Sequence, residues 1–420
     1  MTDRLGRGEL GRRRARARLA KVLRLERSLE AMFLASQFAG LIVSVALARS
    51  IGPTGRGTIT ILAMWGVILG WLGAFSLDKA IIVMTKEEHG QFDAAEALAF
   101  CRSAVLTLTV PMVILAVLVG HAVFRDQWYT VLLVVISAAT AQGEIFAGWL
   151  LARGKRATYI AWRLLQPSSY VLSTVVVVVA LRNIAASTRT LAVAVGLTMS
   201  VVGPVLGPLL VPRSGPVVRS GIAKMRDLLR FAIAAQAANI LQYLNGRLDL
   251  LVLPFLVSTG QVGYYAVGAG AGQIPFLLGA AAAIRGITGQ SRKTDAGGLL
   301  LVAAACASII VTAPFVIPLV FGNTFRPSVV IAEILAGGAL VNYALQSTSG
   351  RLLGINRPWD VAIAQGIGAI GFGCGIATFP TLRGAAWSSV ASFAASAVAG
   401  QLLWQYRTGH RSTDPEATPG

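Results

Sequence analysis

The sequence has little charge, little cysteine and little histidine for its length. Charged residues make up 13% of its 420 residues against 55% hydrophobic ones, a balance that excludes an ordinary soluble globular protein. The three cysteines fall in apolar runs without paired spacing, so neither a disulfide framework nor a metal site is indicated. The three histidines are scattered and provide no clustered metal ligands.

Sequence motifs of enzymes and of ATP-driven pumps are also missing. There is no serine nucleophile elbow, no phosphate-binding P-loop and no large loop with paired carboxylates. Gly366, Gly368 and Gly371 have dinucleotide-motif spacing, but they lie in an apolar run with no preceding strand. We therefore expect a protein that is not an enzyme and that uses no cofactor.

Long apolar runs dominate the sequence instead. A membrane-spanning helix needs about 20 apolar residues, and unpaired backbone groups are not tolerated in hydrocarbon, so such runs must be helical. The pattern predicts an all-α polytopic membrane protein with about 12 transmembrane helices. The predicted spans are 29–49, 58–84, 97–120, 129–152, 159–181, 190–211, 230–256, 261–286, 297–321, 328–350, 358–379 and 384–404.

The formal charge of +19 is concentrated beside these spans. Basic clusters precede the first span and follow the fourth, sixth and eighth, at 12–27, 153–156, 213–226 and 285–293. The positive-inside rule then places both termini in the cytoplasm, which supports an even number of spans. We expect a multi-pass protein of the cytoplasmic membrane, inner or plasma, with membrane lipids around it. A nucleic-acid partner is not expected, because the basic residues do not share a soluble domain with aromatic platforms.

An internal repeat divides the chain into two halves. The pattern S-x-G-x-x-G occurs at 50–55, after the first predicted span, and again at 258–263, after the seventh. Six spans per half predict a parallel repeat with a central cleft between two bundles. The expected units are a basic cytoplasmic arm (1–27), an N-terminal six-helix bundle (28–211), a basic cytoplasmic linker (212–229), a C-terminal six-helix bundle (230–404) and a cytoplasmic tail (405–420).

Several ionisable side chains lie inside the predicted spans, where they are costly and therefore mark cavities or transport pathways. These candidates are Asp78, Lys79, Arg102, Glu144, Arg163, Arg247, Asp249 and Glu333. For Arg102 and Arg163 an alternative is equally open, in which their side chains reach the cytoplasmic interface.

The seventh predicted span has the clearest polar pattern. Gln236, Asn239 and Tyr243 are spaced three and four residues apart, which places them on one helix face. This stripe predicts a hydrated cavity, with hydrogen bonding between helices as the alternative. Arg247 suits a phosphate because its planar fork donates two hydrogen bonds. Asp249 points to another face, where it either neutralises an arginine or takes part in proton or sodium coupling.

Four segments together resemble the bacterial polysaccharide-unit flippases of the multidrug, oligosaccharidyl-lipid and polysaccharide exporter superfamily. They are 46–55, 247–249 with 262–266, 318–322 and 383–386, in the order found in the family. The resemblance implies two six-helix bundles that rock between inward-open and outward-open states, and a cargo of polyprenyl pyrophosphate bearing an oligosaccharide. Arg49, Arg247 and Asp249 occupy the family's matching positions. The first span has no cation before Arg49, which favours a surface-polysaccharide unit over a peptidoglycan precursor.

The leading hypothesis is therefore a lipid-linked oligosaccharide flippase of surface polysaccharide biosynthesis. Its expected partners are the polyprenyl-pyrophosphate glycolipid and a polysaccharide polymerase or other assembly protein. The alternatives are a multidrug or small-lipid exporter of the same superfamily and an integral-membrane glycan-processing enzyme.

Overall fold

The regular secondary structure of the described residues is entirely helical. The computed structural model describes residues 40–79, 110–124, 126–209, 222–276, 278–279, 282–283, 296–355 and 357–411, and none of these residues lies in a strand. Eight of the described helices are long and apolar enough to cross a membrane. The predicted all-α polytopic class is confirmed.

The longer helices are labelled here in chain order. They are α1 (Gly40–Ala74), α2 (Val110–Val123), α3 (Gln127–Ala152), α4 (Arg156–Ala180), α5 (Ala186–Leu209), α6 (Ile222–Val252), α7 (Thr259–Gly272), α8 (Ala296–Phe321), α9 (Ser328–Gly354), α10 (Pro358–Thr378) and α11 (Leu382–Arg411). Short 3₁₀ turns at Leu253–Phe255 and Asn323–Phe325 follow α6 and α8.

Helix boundaries agree with the predicted spans where local capping signals are strong. The Asp126 carboxylate caps α3 by accepting a hydrogen bond from Trp128 N at 3.0 Å. Ser258 of the repeated motif opens α7 in a capping box with Gln261. The larger differences from the prediction are that α6 begins at Ile222, inside the predicted linker, that α7 ends at Gly272, within the predicted span 261–286, and that α11 continues to Arg411, into the predicted tail. The basic arm at 1–27 lies outside the described residues.

The first helix, α1, contains two predicted spans and folds back on itself. In a straight helix, residues 44 and 56 would be about 18 Å apart, too far for one side chain to bridge. Arg56 Nη2 nevertheless donates to Ser44 Oγ at 3.0 Å. The reversal occurs at Gly52, whose φ of +66° is readily accessible only to glycine. The two arms, 40–51 and 53–74, therefore correspond to the first and second predicted spans.

The described helices separate into two sets. Helices α3, α4 and α5 pack on one another, and the second arm of α1 lies on α3, where Cβ atoms at Gly66 would meet Ile136. Helices α6 to α11 form the other set. We refer to these sets as the N-half and the C-half.

The two copies of the repeated glycine motif contact each other at one end of the molecule. A Cβ atom on Gly57 would overlap the carbonyl oxygen of Thr259, and one on Gly263 would overlap the carbonyl oxygen of Pro53. Backbones can approach this closely only where both side chains are absent. This glycine crossing, Gly57 with Gly263, joins the N-half to the C-half.

We expect Gly263→Ala to destabilise the glycine crossing, because overpacking of a tight contact costs about 1–3 kcal/mol. The matched control is Gly270→Ala in the same helix, where the added Cβ meets no atom within 4 Å. Thermal unfolding of the full-length protein in detergent should show a lower Tm for Gly263→Ala alone. Equal Tm values for the two variants would contradict the close approach.

Candidate functional site

A cavity of about 660 Å³ lies between the N-half and the C-half. This volume is within the range of roughly 300–1,000 Å³ that is typical of small-molecule sites. Helices α1, α3 and α4 line it on one side, and α6 and α9 line it on the other. The polar and charged lining residues are Ser76, Asp78, Lys79, Glu144, Tyr159, Arg163, Gln236, Tyr243, Arg247 and Gln346.

Helix α6 has two opposite polar faces. Gln236, Tyr243 and Arg247 line the cavity together with Ile240, and at 100° per residue these four positions share one face. Asn245 and Asp249 lie about 180° away and are buried, with 5% and 2% of their surface exposed. One helix therefore forms a wall of the cavity and also anchors the interior of the C-half.

Gln236 of α6 forms hydrogen bonds at the point where the second arm of α1 ends. Phe75 and Ser76 both have φ of 50°, which interrupts the helix after Ala74. Gln236 accepts a hydrogen bond from Ser76 Oγ at 2.7 Å and donates to the Trp71 carbonyl oxygen at 3.1 Å. A break of this kind is tolerated in a membrane only where other groups satisfy the backbone. Gln236 therefore stabilises the break from the opposite half.

The principal ion pair of the cavity joins α3 to α4. Arg163 donates from Nη1 to Glu144 Oε1 at 2.8 Å and from Nη2 to Oε2 at 2.6 Å. The guanidinium also lies over the rings of Tyr159 and Trp162, at 5.5 and 5.3 Å from their centroids. Arg163 is thus held against α3 by an ion pair and by two aromatic rings.

Arg247 presents its charge to the cavity from the C-half. Its Nη1 donates to Gln273 Oε1 at 2.7 Å, at the carboxyl end of α7. That bond uses one of the five N–H donors of a guanidinium and orients the group. With Lys79, Arg163 and Arg247 against Asp78 and Glu144, the lining carries a formal balance of one positive charge.

Asp249 lies in the interior of the C-half rather than in the cavity. Its Oδ2 accepts hydrogen bonds from Tyr265 Oη at 2.6 Å and from Ser389 Oγ at 3.2 Å. Within the described residues, no Lys or Arg side chain forms an ion pair with it. The carboxylate is satisfied by neutral donors from α7 and α11, so it does not neutralise an arginine in this conformation.

A second polar network lies one helical turn away from Asp249. Asn245 donates to Gln365 and, at 3.0 Å, to Ser396 Oγ, and it accepts a hydrogen bond from Ser392. These contacts tie α6 to α10 and α11. Polar residues of α6 therefore do both things that the sequence left open: one face lines the cavity, and the other bonds neighbouring helices.

Other predicted site residues lie apart from the cavity. Arg49 donates to the carbonyl oxygens of Leu319 and Val320, at 2.6 and 2.8 Å, and so binds the carboxyl end of α8. Glu333 is half-buried on α9 and does not line the cavity. Arg102 and the side chain of Asn239 lie outside the described residues.

Sequence reasoning missed two cavity residues that have recognisable signals. Gln346 follows Asn342 by four residues in α9, so it repeats the spacing used to find the stripe on α6. Tyr159 precedes Arg163 by four residues and packs on its guanidinium. Within the described residues, no group of three or more His, Cys, Asp or Glu side chains is arranged to hold a metal ion.

The cavity lies towards the end of the second arm of α1 that is remote from the glycine crossing. Lys79, at this end, is exposed, and Gly148 packs on the Asp78 backbone close to the basic turn of Arg153 and Lys155. The glycine crossing lies at the opposite end, about 30 Å away along the second arm of α1. The cavity is therefore closer to the basic turn than to the glycine crossing.

One comparison with known proteins identifies a family, and another shows the fold. The family model described as polysaccharide biosynthesis protein matches residues 28–287. A structure of the lipid II flippase MurJ, in an inward closed conformation, has a TM-score of 0.68 at 13% identity, over 90% of this chain and 87% of that chain. An inward-facing multidrug resistance MATE family transporter of the MOP superfamily has a TM-score of 0.64 at 15% identity, over 90% and 96%. No curated protein sequence matches this chain significantly.

We expect Tyr265→Phe to destabilise the C-half, because it removes the shorter hydroxyl bond to the buried Asp249 carboxylate. An unsatisfied buried acceptor costs about 1–3 kcal/mol. The matched control is Tyr264→Phe. The ring of Tyr264 packs on Phe325, and the substitution keeps this contact. Denaturant titration in mild detergent should show a lower midpoint for Tyr265→Phe only. A similar loss in both variants would show that the Asp249 bond is not the cause.

Proposed function

The chain belongs to the polysaccharide biosynthesis protein family, and from this we propose that it is a flippase for a lipid-linked oligosaccharide. It moves a polyprenyl-pyrophosphate carrier with its glycan across the cytoplasmic membrane, for use by a polysaccharide polymerase or another assembly protein. The two halves alternate in opening the cavity to either side, and no catalytic step is involved.

The observation that carries this proposal is the cationic cavity between the two halves. Arg247 is oriented by Gln273 and directs its charge into a space that both halves line. A guanidinium in this setting suits a pyrophosphate, which offers several oxygens for paired hydrogen bonds. The polar wall of Gln236 and Tyr243 suits sugar hydroxyls, while the prenyl chain remains in lipid.

The position of the cavity supports loading from the cytoplasm. The exposed basic turn at Arg153 and Lys155 lies near the Lys79 end of the cavity, and the positive-inside rule assigns this turn to the cytoplasmic side. Both termini would then be cytoplasmic, and the glycine crossing would lie on the outer side.

The membrane potential favours export of an anionic headgroup. In a cell that is negative inside, moving one negative charge outward gains about 2.3 kcal/mol per 100 mV. If Arg163 and Arg247 stay with their helices, this gain is available without ATP. Proton or sodium coupling is an additional source of energy, and the buried Asp249 carboxylate is the group that we propose for it.

A second candidate function is export of a drug or small lipid. Two carboxylates, Asp78 and Glu144, line the same cavity and would suit a cationic cargo. The similarity to the MATE family transporter shows that the fold is shared with that class. Glycan processing is less well supported, because both Glu144 oxygens are bound by Arg163, which leaves Asp78 without a second free carboxyl group in the lining.

The test is flipping of a fluorescent polyprenyl-pyrophosphate oligosaccharide in proteoliposomes that contain only this protein. We expect protein-dependent flipping that becomes faster when the potential is made negative on the side of the donor leaflet. Absence of flipping for a panel of glycans, together with transport of a fluorescent organic cation, would favour the drug exporter instead.

Arg247→Ala and Arg247→Lys should both slow flipping, because neither retains the planar pair of donors. Charge-assisted hydrogen bonds contribute about 1.5–3 kcal/mol, so roughly a tenfold to hundredfold loss is expected for alanine. The matched control is Arg383→Ala, an exposed arginine at the start of α11. If the lysine variant flips the glycolipid at the normal rate, the site requires a positive charge at this position and not a bidentate contact. Normal rates in both variants would remove Arg247 from the site.

A further inference from the structure

In this structure Arg163 binds a carboxylate of the protein itself, that of Glu144. Both oxygens of Glu144 accept hydrogen bonds from its guanidinium, at 2.8 and 2.6 Å. This planar pair of bonds is the pattern in which an arginine binds a phosphate. A guanidinium held in this way has fewer donors for a ligand, so an anion in the cavity has to compete with Glu144 for Arg163.

The ion pair is placed where such an exchange is feasible. Arg163 and Glu144 have 28% and 17% of their side-chain surface exposed, and both line the main cavity. They also line a small crevice on the side of Gln166 and Val201. Water therefore reaches the pair, and a partly hydrated ion pair is easier to separate than a fully buried one.

The surroundings of Arg163 keep the guanidinium in place when Glu144 is displaced. Tyr159 and Trp162 lie at 5.5 and 5.3 Å from it and provide cation-π contacts that do not depend on Glu144. Pro167 lies inside α4, four residues after Arg163, and lacks the N–H that would bond to the Arg163 carbonyl oxygen. Helix α4 is therefore less constrained at this level than elsewhere.

Resting on the proposed function, we infer that Glu144 is an internal competitor that sets which headgroups the cavity accepts. A pyrophosphate displaces Glu144 from Arg163, because it brings more charge and more acceptor oxygens than one carboxylate. A ligand with a single carboxylate replaces one carboxylate at Arg163 by another, so the exchange gains no free energy. Glu144 therefore lowers the affinity of every anion that needs Arg163, and of these a diphosphate headgroup keeps a useful affinity whereas a monoanion does not.

The experiment is equilibrium binding of inorganic pyrophosphate and of acetate to the full-length protein in lipid nanodiscs. Glu144→Gln keeps the size of the side chain but removes its charge. We expect it to bind pyrophosphate about tenfold more tightly, the scale of one charge-assisted interaction released from competition. Acetate affinity should rise by a similar factor, because both anions are released from the same competitor. Glu144→Asp, which shortens the side chain, should change both in the same direction by less.

Two further variants separate competition from a general change in cavity charge. Asp78→Asn also removes a carboxylate from the lining, and a gain in anion affinity that it gives through cavity charge alone should persist in the Arg163→Ala background. Arg163→Ala removes the contested group. The gain from Glu144→Gln should disappear in the Arg163→Ala background, since coupled residues are not additive.

The inference is overturned if Glu144→Gln leaves pyrophosphate affinity unchanged, or if its gain persists in the Arg163→Ala background. Either result leaves the flippase intact, provided that flipping is still observed. If neither the unchanged protein nor Glu144→Gln binds pyrophosphate, the anionic cargo of the proposed function fails together with the competition.

Discussion

The hydrocarbon around these helices offers no hydrogen-bond partners, so each polar group in a span needs a partner in the protein or a hydrated cavity. Helix α6 meets this constraint in both ways. Asn245 and Asp249 are satisfied by side chains of α7, α10 and α11, whereas Gln236 and Arg247 face the cavity. The position of the cavity follows from this division, because the polar face of α6 that points away from the C-half has to meet water or the N-half.

Much of the fold could be predicted because its signals are local. Apolar run length indicates the spans, and the repeated glycine motif marks the turns at Gly52 and Ser258. The cavity face of α6 could also be anticipated from residue spacing. Arg247 and Asp249 are two residues apart and therefore about 200° apart on the helix, so the sequence also predicted that they face different surroundings.

Other features depend on contacts that no local pattern specifies. Neither Phe75 nor Ser76 favours a positive φ, so the break at these residues is held by tertiary contacts, among them those of Gln236. Arg49 lies next to the repeated motif, yet the carbonyl oxygens that it binds are some 270 residues away in the chain. The charge pattern of the cavity likewise depends on α3 and α4 bringing Glu144 to Arg163.

The glycine crossing also sets a condition for combining halves from different proteins. At Gly57 and Gly263 the facing surface is backbone, so the fit at this one contact does not depend on matching side chains. A chimaera that joins either half to its counterpart from a distant relative could therefore keep this contact, provided that both glycines are present. The halves can diverge freely in the residues that face the cavity while the contact between them stays the same. New cargo preferences can then arise by changing one half at a time.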